Sequence, residues 1–483
     1  MAPDSSSDHV DVLIVGAGLS GIGAAHHLQE RCPAKSFLLL EARHAIGGTW
    51  DLFRYPGVRS DSDMYTFGYR FRPWTDDVTM ADGPSILSYI RETATEAGID
   101  QKIRFGHRMV RAEWCSAEER WTVWAAREGP SPVGGQVKLT AKFLFNCSGY
   151  YKYDQGFTPP FPQLGDFGGR VVHPQHWPED LDYAGKRVVV IGSGATAVTL
   201  VPAMAASAAH VVMLQRSPTY VVSEPGRDAV ALFLRRWLPA WLAVFLTRWQ
   251  RCGQLSFDGG PAILFYWLSQ TYPQTVRGWL RAWAQEQLPD GFAVDVHFKP
   301  KYDPWDQRLC AVPDGDLFAA LSSGRASVVT DTIQRFTAGG VLLSSGEELK
   351  ADLIVTATGF TLQVMGGAAA WAVKTAEAAD LVSEYVCRIL NYMDAGGYTV
   401  QAFILASWLP RHEVPRADPA MERHALLDFG AGYIQRSIDE LPKQGTAWPW
   451  RLRMNYVADV LSIRPGALAD SAMEFRRPHA KPD

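Results

Sequence analysis

Short apolar runs alternate along the chain with helical patterns. Residues 10–15, Phe37–Leu40, Arg187–Ile191 and residues 211–214 are compact apolar stretches. Runs of this length without alternation suit parallel strands buried on both faces. Residues 114–125 and 136–145 read as two strands of a small sheet, and residues 143–149 end on a small-residue turn. Helical periodicity follows the first run over residues 20–29 and recurs over 86–98 and 195–206. It returns over 376–393, where Leu381, Val382, Tyr385, Val386, Ile389 and Leu390 fall on one face. Between about 223 and 290 the pattern is helical throughout, with Pro239 as a break. Strands alternating with helices predict an α/β fold.

Two of the strands run straight into glycine-rich loops. The first loop supplies Gly16, Gly18 and Gly21, and the second supplies Gly192, Gly194 and Ala197. The first glycine permits the tight turn, the second admits a phosphate to the backbone, and the third position lets helix and strand pack closely. Each helix then points its amide end at a pyrophosphate. The strand after the first loop ends in Glu41, an acid placed for a ribose hydroxyl pair, which fits FAD or NAD. The strand after the second loop ends in Gln215, Arg216 and Ser217, with no acid. A carboxylate there would repel a 2′-phosphate, whereas Arg pairs with one through two hydrogen bonds, so NADPH is expected over NADH.

Composition narrows the picture. A chain of 483 residues is expected to fold as two or three domains. A net charge of −4 offers no electrostatic case for nucleic acid. Six scattered Cys, none in a C-x-x-C pair or at metal-ligand spacing, imply free thiols, a cytoplasmic location and no metal site. They also argue against a disulfide reductase, which needs a redox Cys pair. The start of the chain has no signal-peptide pattern. No apolar stretch of about 20 residues is present to span a membrane. The basic, Trp-rich helical stretch 229–283 reads either as a cover over the active site or as a peripheral membrane contact.

Between the two loops, Phe167, Gly169, His173, Trp177 and Pro178 stand at a spacing that resembles the fingerprint of type I Baeyer–Villiger monooxygenases, within the flavin-containing monooxygenase superfamily. A second segment, Gly47-Gly48-Thr49-Trp50-Asp51 leading to Tyr55-Pro56-Gly57 and Asp61, is similar to another motif of that family. The run ending in Pro304-Trp305-Asp306-Gln307-Arg308 resembles its ethionamide-activating branch, with Gln307 where many members carry Lys.

The resemblance implies an NADPH domain inserted into an FAD domain. The expected bounds are 1–150 for the first part of the FAD domain, 151–350 for the NADPH domain with its helical insert, and 351–483 for the return. It implies FAD contacts from Gly48, Thr49 and Trp50, and a 2′-phosphate site at Arg216 and Ser217. It places Asp61 and Arg308 as an active-site charge pair, and gives His173 and Trp177 a part in cofactor binding. The implied activity is insertion of one oxygen of O2 into ketones, with oxidation of sulfides and thioamides, by way of a flavin C4a-peroxide. An N- or S-oxygenating flavin monooxygenase and a catalytically impaired flavoprotein are the alternatives. The family pattern also implies a few dozen residues before the last helix, of which a piece after Gly367 is missing from this chain.

Overall fold

The computed structural model describes residues 8–127, 135–253, 262–307, 309–362 and 376–398. Short stretches at 400–403, 422–423, 443–444, 463–466, 468 and 473–477 are also described. Two sheets carry the architecture. In the first, Asp8–Val15 lies between Phe37–Leu40 and Gln136–Asn146, parallel to both, and Ile103–Arg104 extends the parallel edge. Val12, Leu13 and Ile14 are fully buried, which is why the run shows no polar alternation.

The other edge corrects the expected single strand at 114–125. Two strands, His107–Cys115 and Arg120–Arg127, form a hairpin there. The chain turns at residues 116–119, with Glu119 at φ 51°. Trp114 faces Trp121 across the ladder, with ring centroids 5.6 Å apart, so the aromatic pattern runs through the turn and conceals it. The hairpin continues onto Gln136–Asn146, so these strands extend the first sheet and do not form a separate small one.

The second sheet is parallel throughout, in the order Ala326–Thr330, His210–Gln215, Arg187–Ile191, Leu353–Thr356, Arg170–Val172. Its edge strand Arg170–Val172 is the middle of the fingerprint segment. Leu353–Thr356, expected in the returning part that starts at 351, is a member of this sheet. After it, Gly359 and Thr361 accept backbone bonds from Phe157 and Lys152. Phe167 is buried with Phe336, Val341 and Leu343 of the meander Ile333–Thr337, Gly340–Leu343 and Glu348–Lys350.

The helical insert comprises Ala229–Trp237, Ala240–Gly253, Ala262–Thr271 and Pro273–Glu286, with Pro239 between the first two as its lack of an N–H demands. Residues 363–375, where the shortening is expected, lie outside the described residues. The helix that follows, Ala376–Gly396, packs on Leu19–Arg31. His27 pairs with Asp380 at 2.9 Å, Arg31 with Glu384 at 3.0 Å and Lys35 with Asp394 at 2.8 Å. This helix therefore docks behind the first glycine loop.

Candidate functional site

Each glycine loop is pinned by the turn that leaves the neighbouring strand of its own sheet. Gly16 has φ +105°, and a Cβ on it would stand 2.5 Å from the Cys147 carbonyl oxygen. Gly192 has φ +134°, and a Cβ on it would stand 2.3 Å from the Ala357 carbonyl oxygen. Only glycine fits either place. Gly21 is equally closed, since a Cβ there would lie 1.9 Å from the Gly16 oxygen. Ala197 is fully buried in the second helix. Gly18 and Gly194 head the helices Leu19–Arg31 and Ala195–Ala205, and no side chain caps either one. Their first-turn amides are left for an anion.

Glu41 is 5% exposed. Its two oxygens accept the N–H of Ala17 at 2.7 Å and of Arg43 at 2.9 Å. Each oxygen keeps a second lone pair, so the carboxylate can still accept two ribose hydroxyls. Burial pushes its carboxyl above the ordinary range, against the pull of those two N–H groups.

The segment after Glu41 folds onto the first loop. Gly47 donates its N–H to the Ala17 carbonyl at 3.1 Å. Gly48, at φ +55°, approaches Gly18 so closely that a Cβ would lie 3.2 Å from its Cα. Thr49 and Tyr153 share a hydroxyl–hydroxyl bond of 2.9 Å, and burial pushes the Tyr153 phenol up to about 12. Trp50 packs edge-on against Phe67, centroids 5.9 Å apart. Asp61 sits exposed on the loop after Ser60, whose N–H donates to the Ala81 carbonyl. Next to it Arg59 reaches across to Asp316 of the second unit at 2.5 Å. Arg308 lies outside the described residues.

His173 lies on a hydrogen-bonded path between the two halves. It is tied to Gly359, in the turn after Leu353–Thr356, at 3.1 Å. The Gln175 N–H donates to its other ring nitrogen, and the Gln175 amide donates to the carbonyls of Lys152 and Tyr153 at 2.9 and 3.0 Å. Continuous hydrogen bonds thus run from the second sheet's exit turn to Thr49, beside the first glycine loop. Trp177 packs edge-on against Tyr183 and on the core of the second unit.

At the second loop the Ser193 hydroxyl bonds the Ser217 carbonyl at 3.3 Å and the Thr219 hydroxyl at 2.8 Å, which fixes the loop beside the strand end. Gln215 occupies the place of the missing acid. It is buried, and its amide donates to the His297 carbonyl and the Thr330 hydroxyl. Arg216 and Ser217 are exposed. No residue lies within 4 Å of a Cβ built on Gly194. An open glycine, an uncapped helix and an exposed guanidinium fit a phosphorylated dinucleotide.

Sequence reasoning missed one cluster. Asp51, nearly buried, bonds three guanidiniums: Arg43, Arg54 at 2.8 Å and Arg91 at 2.9 Å. Arg54 follows three residues on, just past a short helix, but Arg91 comes from another helix, and no spacing signals it.

These features define a protein built on two dinucleotide-binding units that meet through Thr49 with Tyr153 and through Arg59 with Asp316. Residues 14–76 match the model of an NAD(P)-binding Rossmann-like domain. The FAD-containing monooxygenase EthA of Mycobacterium tuberculosis (strain ATCC 25618 / H37Rv) is 49% identical over 508 aligned positions that cover 98% of each chain. The putative FAD-containing monooxygenase MymA of the same strain is 45% identical, covering 97% of this chain and 98% of its own. The open crystal structure of cyclohexanone monooxygenase superposes with a TM-score of 0.65 at 22% identity, covering 82% of this chain and 89% of that one.

The chain belongs to the family of FAD-containing monooxygenases. The class, the flavin and the two-unit α/β fold read from the sequence are borne out. The EthA alignment has 508 positions and the chain 483 residues, so at least 25 positions are gaps in this chain.

Proposed function

We propose that this chain is an FAD- and NADPH-dependent monooxygenase that inserts one oxygen of O2 into ketones and oxidises sulfides and thioamides at the same centre. When bound, the two cofactors supply hydride transfer and activation of O2. The protein's part is to hold them, orient them and exclude water. In this reading the first unit spans 1–150, and the second runs from 151 through Leu353–Thr356. The amides behind Gly16, Gly18 and Gly21 take the FAD pyrophosphate, and Glu41 takes its ribose. Gly48, Thr49 and Trp50 line the flavin. Those behind Gly192, Gly194 and Ala197 take the NADPH pyrophosphate, and Arg216 and Ser217 its 2′-phosphate. Asp61 and Arg308 form the charge pair, in which the permanent cation of Arg308 stabilises negative charge as it develops on oxygen. His173 and Trp177 position the turn between the units.

The observation that carries this reading is the hydrogen-bonded path from Gly359 through His173, Gln175 and Tyr153 to Thr49. It sets the two loops in fixed relation, as transfer between two cofactors requires. A peripheral membrane contact through residues 229–283 is a separate proposal, since no step of this chemistry requires it.

The test is a visible spectrum of the purified protein before and after anaerobic NADPH. The expected protein is yellow, bleaches with NADPH, recolours in air and turns a cyclic ketone into a lactone. A colourless protein that takes up no added FAD overturns the proposal and favours the impaired flavoprotein, which the gaps against EthA would explain. Bleaching and sulfide oxidation with no lactone from any ketone favours the N- or S-oxygenating alternative.

A further inference from the structure

Ten large hydrophobic side chains are exposed among the described residues, and eight of them fall within residues 229–283. Four form one row. Phe233 is 62% exposed, Trp237 67%, Trp241 72% and Phe245 52%, at intervals of four residues across the break at Pro239. Intervals of four place side chains along one side of a helix.

Two arginines of the same helices point the other way. Arg235 donates to the carbonyls of Trp74, Thr75 and Asp76. Arg248 donates to the carbonyls of Gly68 and Tyr69, both at 3.2 Å. A surface helix in water shows the opposite arrangement, apolar side in and charged side out. Here arginines fasten the helices to the protein and aromatic rings face solvent. A contiguous apolar face of this kind marks a contact surface.

Charge selects the occupant. Arg235 and Arg248 are turned onto the protein, and Arg277 and Arg281 pair with Asp303 and Asp295, which leaves Arg236 as the described cation beside the exposed rings. Arg236 lies over Trp237, 6.0 Å from the ring centroid, and has no acidic partner among the described residues. A two-fold contact through Trp237 would bring the two Arg236 guanidiniums together, and like charges would oppose it. An anionic bilayer accepts both features, rings at headgroup level and guanidiniums on phosphate. No described helix is long and apolar enough to cross a membrane, so the contact is at the surface. We propose that the exposed rings of Phe233, Trp237, Trp241 and Phe245, with Arg236 beside Trp237, dock this chain on the surface of an anionic phospholipid bilayer.

Flotation of the full chain tests this with vesicles of equal parts phosphatidylglycerol and phosphatidylcholine, and with phosphatidylcholine alone. The expected result is flotation with the anionic vesicles and at least a five-fold smaller bound fraction with the neutral ones. The double variant W237S/W241S should lose most binding while keeping its melting temperature and visible spectrum, because both rings are exposed. R236E, which leaves the rings in place, should weaken binding to anionic vesicles several-fold. No flotation with anionic vesicles overturns the proposal. So does equal binding to both vesicle types, or a dimer in light scattering that W237S/W241S abolishes. An unchanged spectrum in a variant that no longer floats separates this surface from the cofactor sites.

Discussion

The imidazole of His173 donates through Nε2 to the Gly359 carbonyl at 3.1 Å, while its Nδ1 accepts the Gln175 N–H at 3.1 Å. A ring that accepts at one nitrogen and donates at the other is neutral, and its tautomer is set by those two partners. Burial holds its pKa below the ordinary value, which agrees with the geometry. The residue most diagnostic in the sequence thus fastens the second unit's exit turn to the segment leading back to the first.

Replacing His173 by Ala leaves the Gly359 carbonyl and the Gln175 N–H without these partners, at a cost of about 1–3 kcal/mol. The melting temperature should fall, flavin content should hold, and bleaching by NADPH should slow. The pH dependence has a definite sign. Unfolded imidazole, with the ordinary value near 6.5, takes up its proton before the folded one. The stability that neutral His173 contributes is therefore present above about pH 6.5 and is lost as pH falls toward the lowered folded value. The wild type should lose stability from pH 7 to 5 more steeply than H173A. Burial also lowers His26 and His297, so the variant's slope is shallower and not zero. Parallel slopes in thermal melts across that range would remove His173 from the account.

Two glycines of one loop should fail differently. Gly192 is at φ +134° with a carbonyl 2.3 Å from where a Cβ would stand, so G192A strains the fold and should melt well below the wild type. Gly194 has φ −79° and open space around its Cβ position. G194A should melt like the wild type yet raise the KM for NADPH about ten-fold or more, because its methyl fills the space that a phosphate needs. An unchanged KM in G194A would mean that the dinucleotide does not enter this loop.

How much was legible depended on whether a local rule applied. Asp8–Val15 and Arg187–Ile191 announced themselves because strands covered on both faces are apolar without interruption. The turn at 116–119 did not, because Trp114 and Trp121 continue one face of the hairpin across it. The second unit was expected to end at 350. Leu353–Thr356 lies in its sheet because a strand between two parallel partners is placed by pairing, which no local pattern encodes. At the sites, glycine spacing and strand-end chemistry pointed to Gly16, Glu41, Gly192 and Arg216. The grouping of Asp51 with Arg43, Arg54 and Arg91 arises only once the helix Gly83–Glu96 packs beside residues 43–54.

That grouping makes Asp51 a support for the first loop. Its carboxylate neutralises part of three guanidiniums and sits on the short helix Thr49–Leu52 that starts at Gly48. In D51N the amide keeps one acceptor and no charge. The arginines are a quarter to a half exposed, so water screens part of the loss, and about 1–3 kcal/mol is expected. The variant should melt lower and release FAD faster on dilution. R54Q, which removes one partner of three, should show a smaller effect of the same kind. Equal flavin release from D51N and wild type would confine Asp51 to packing.

In the proposed function, Arg216 is the residue that chooses between the two nicotinamide cofactors. It is the first exposed residue after the strand His210–Gln215, and Gln215 before it is buried and committed to His297 and Thr330. The guanidinium is therefore the group at the strand end able to meet a 2′-phosphate. A charge-assisted contact of this kind corresponds to a change of about 10- to 100-fold in affinity. R216A should raise the KM for NADPH by about that factor and leave the KM for NADH unchanged, since NADH has only a hydroxyl there. R216E should go further and reverse the preference, because a carboxylate repels the phosphate and can accept a bond from the ribose hydroxyl. Steady-state kinetics with both cofactors decide it. If R216A weakens both equally, Arg216 supports the loop as a whole and the phosphate is read elsewhere.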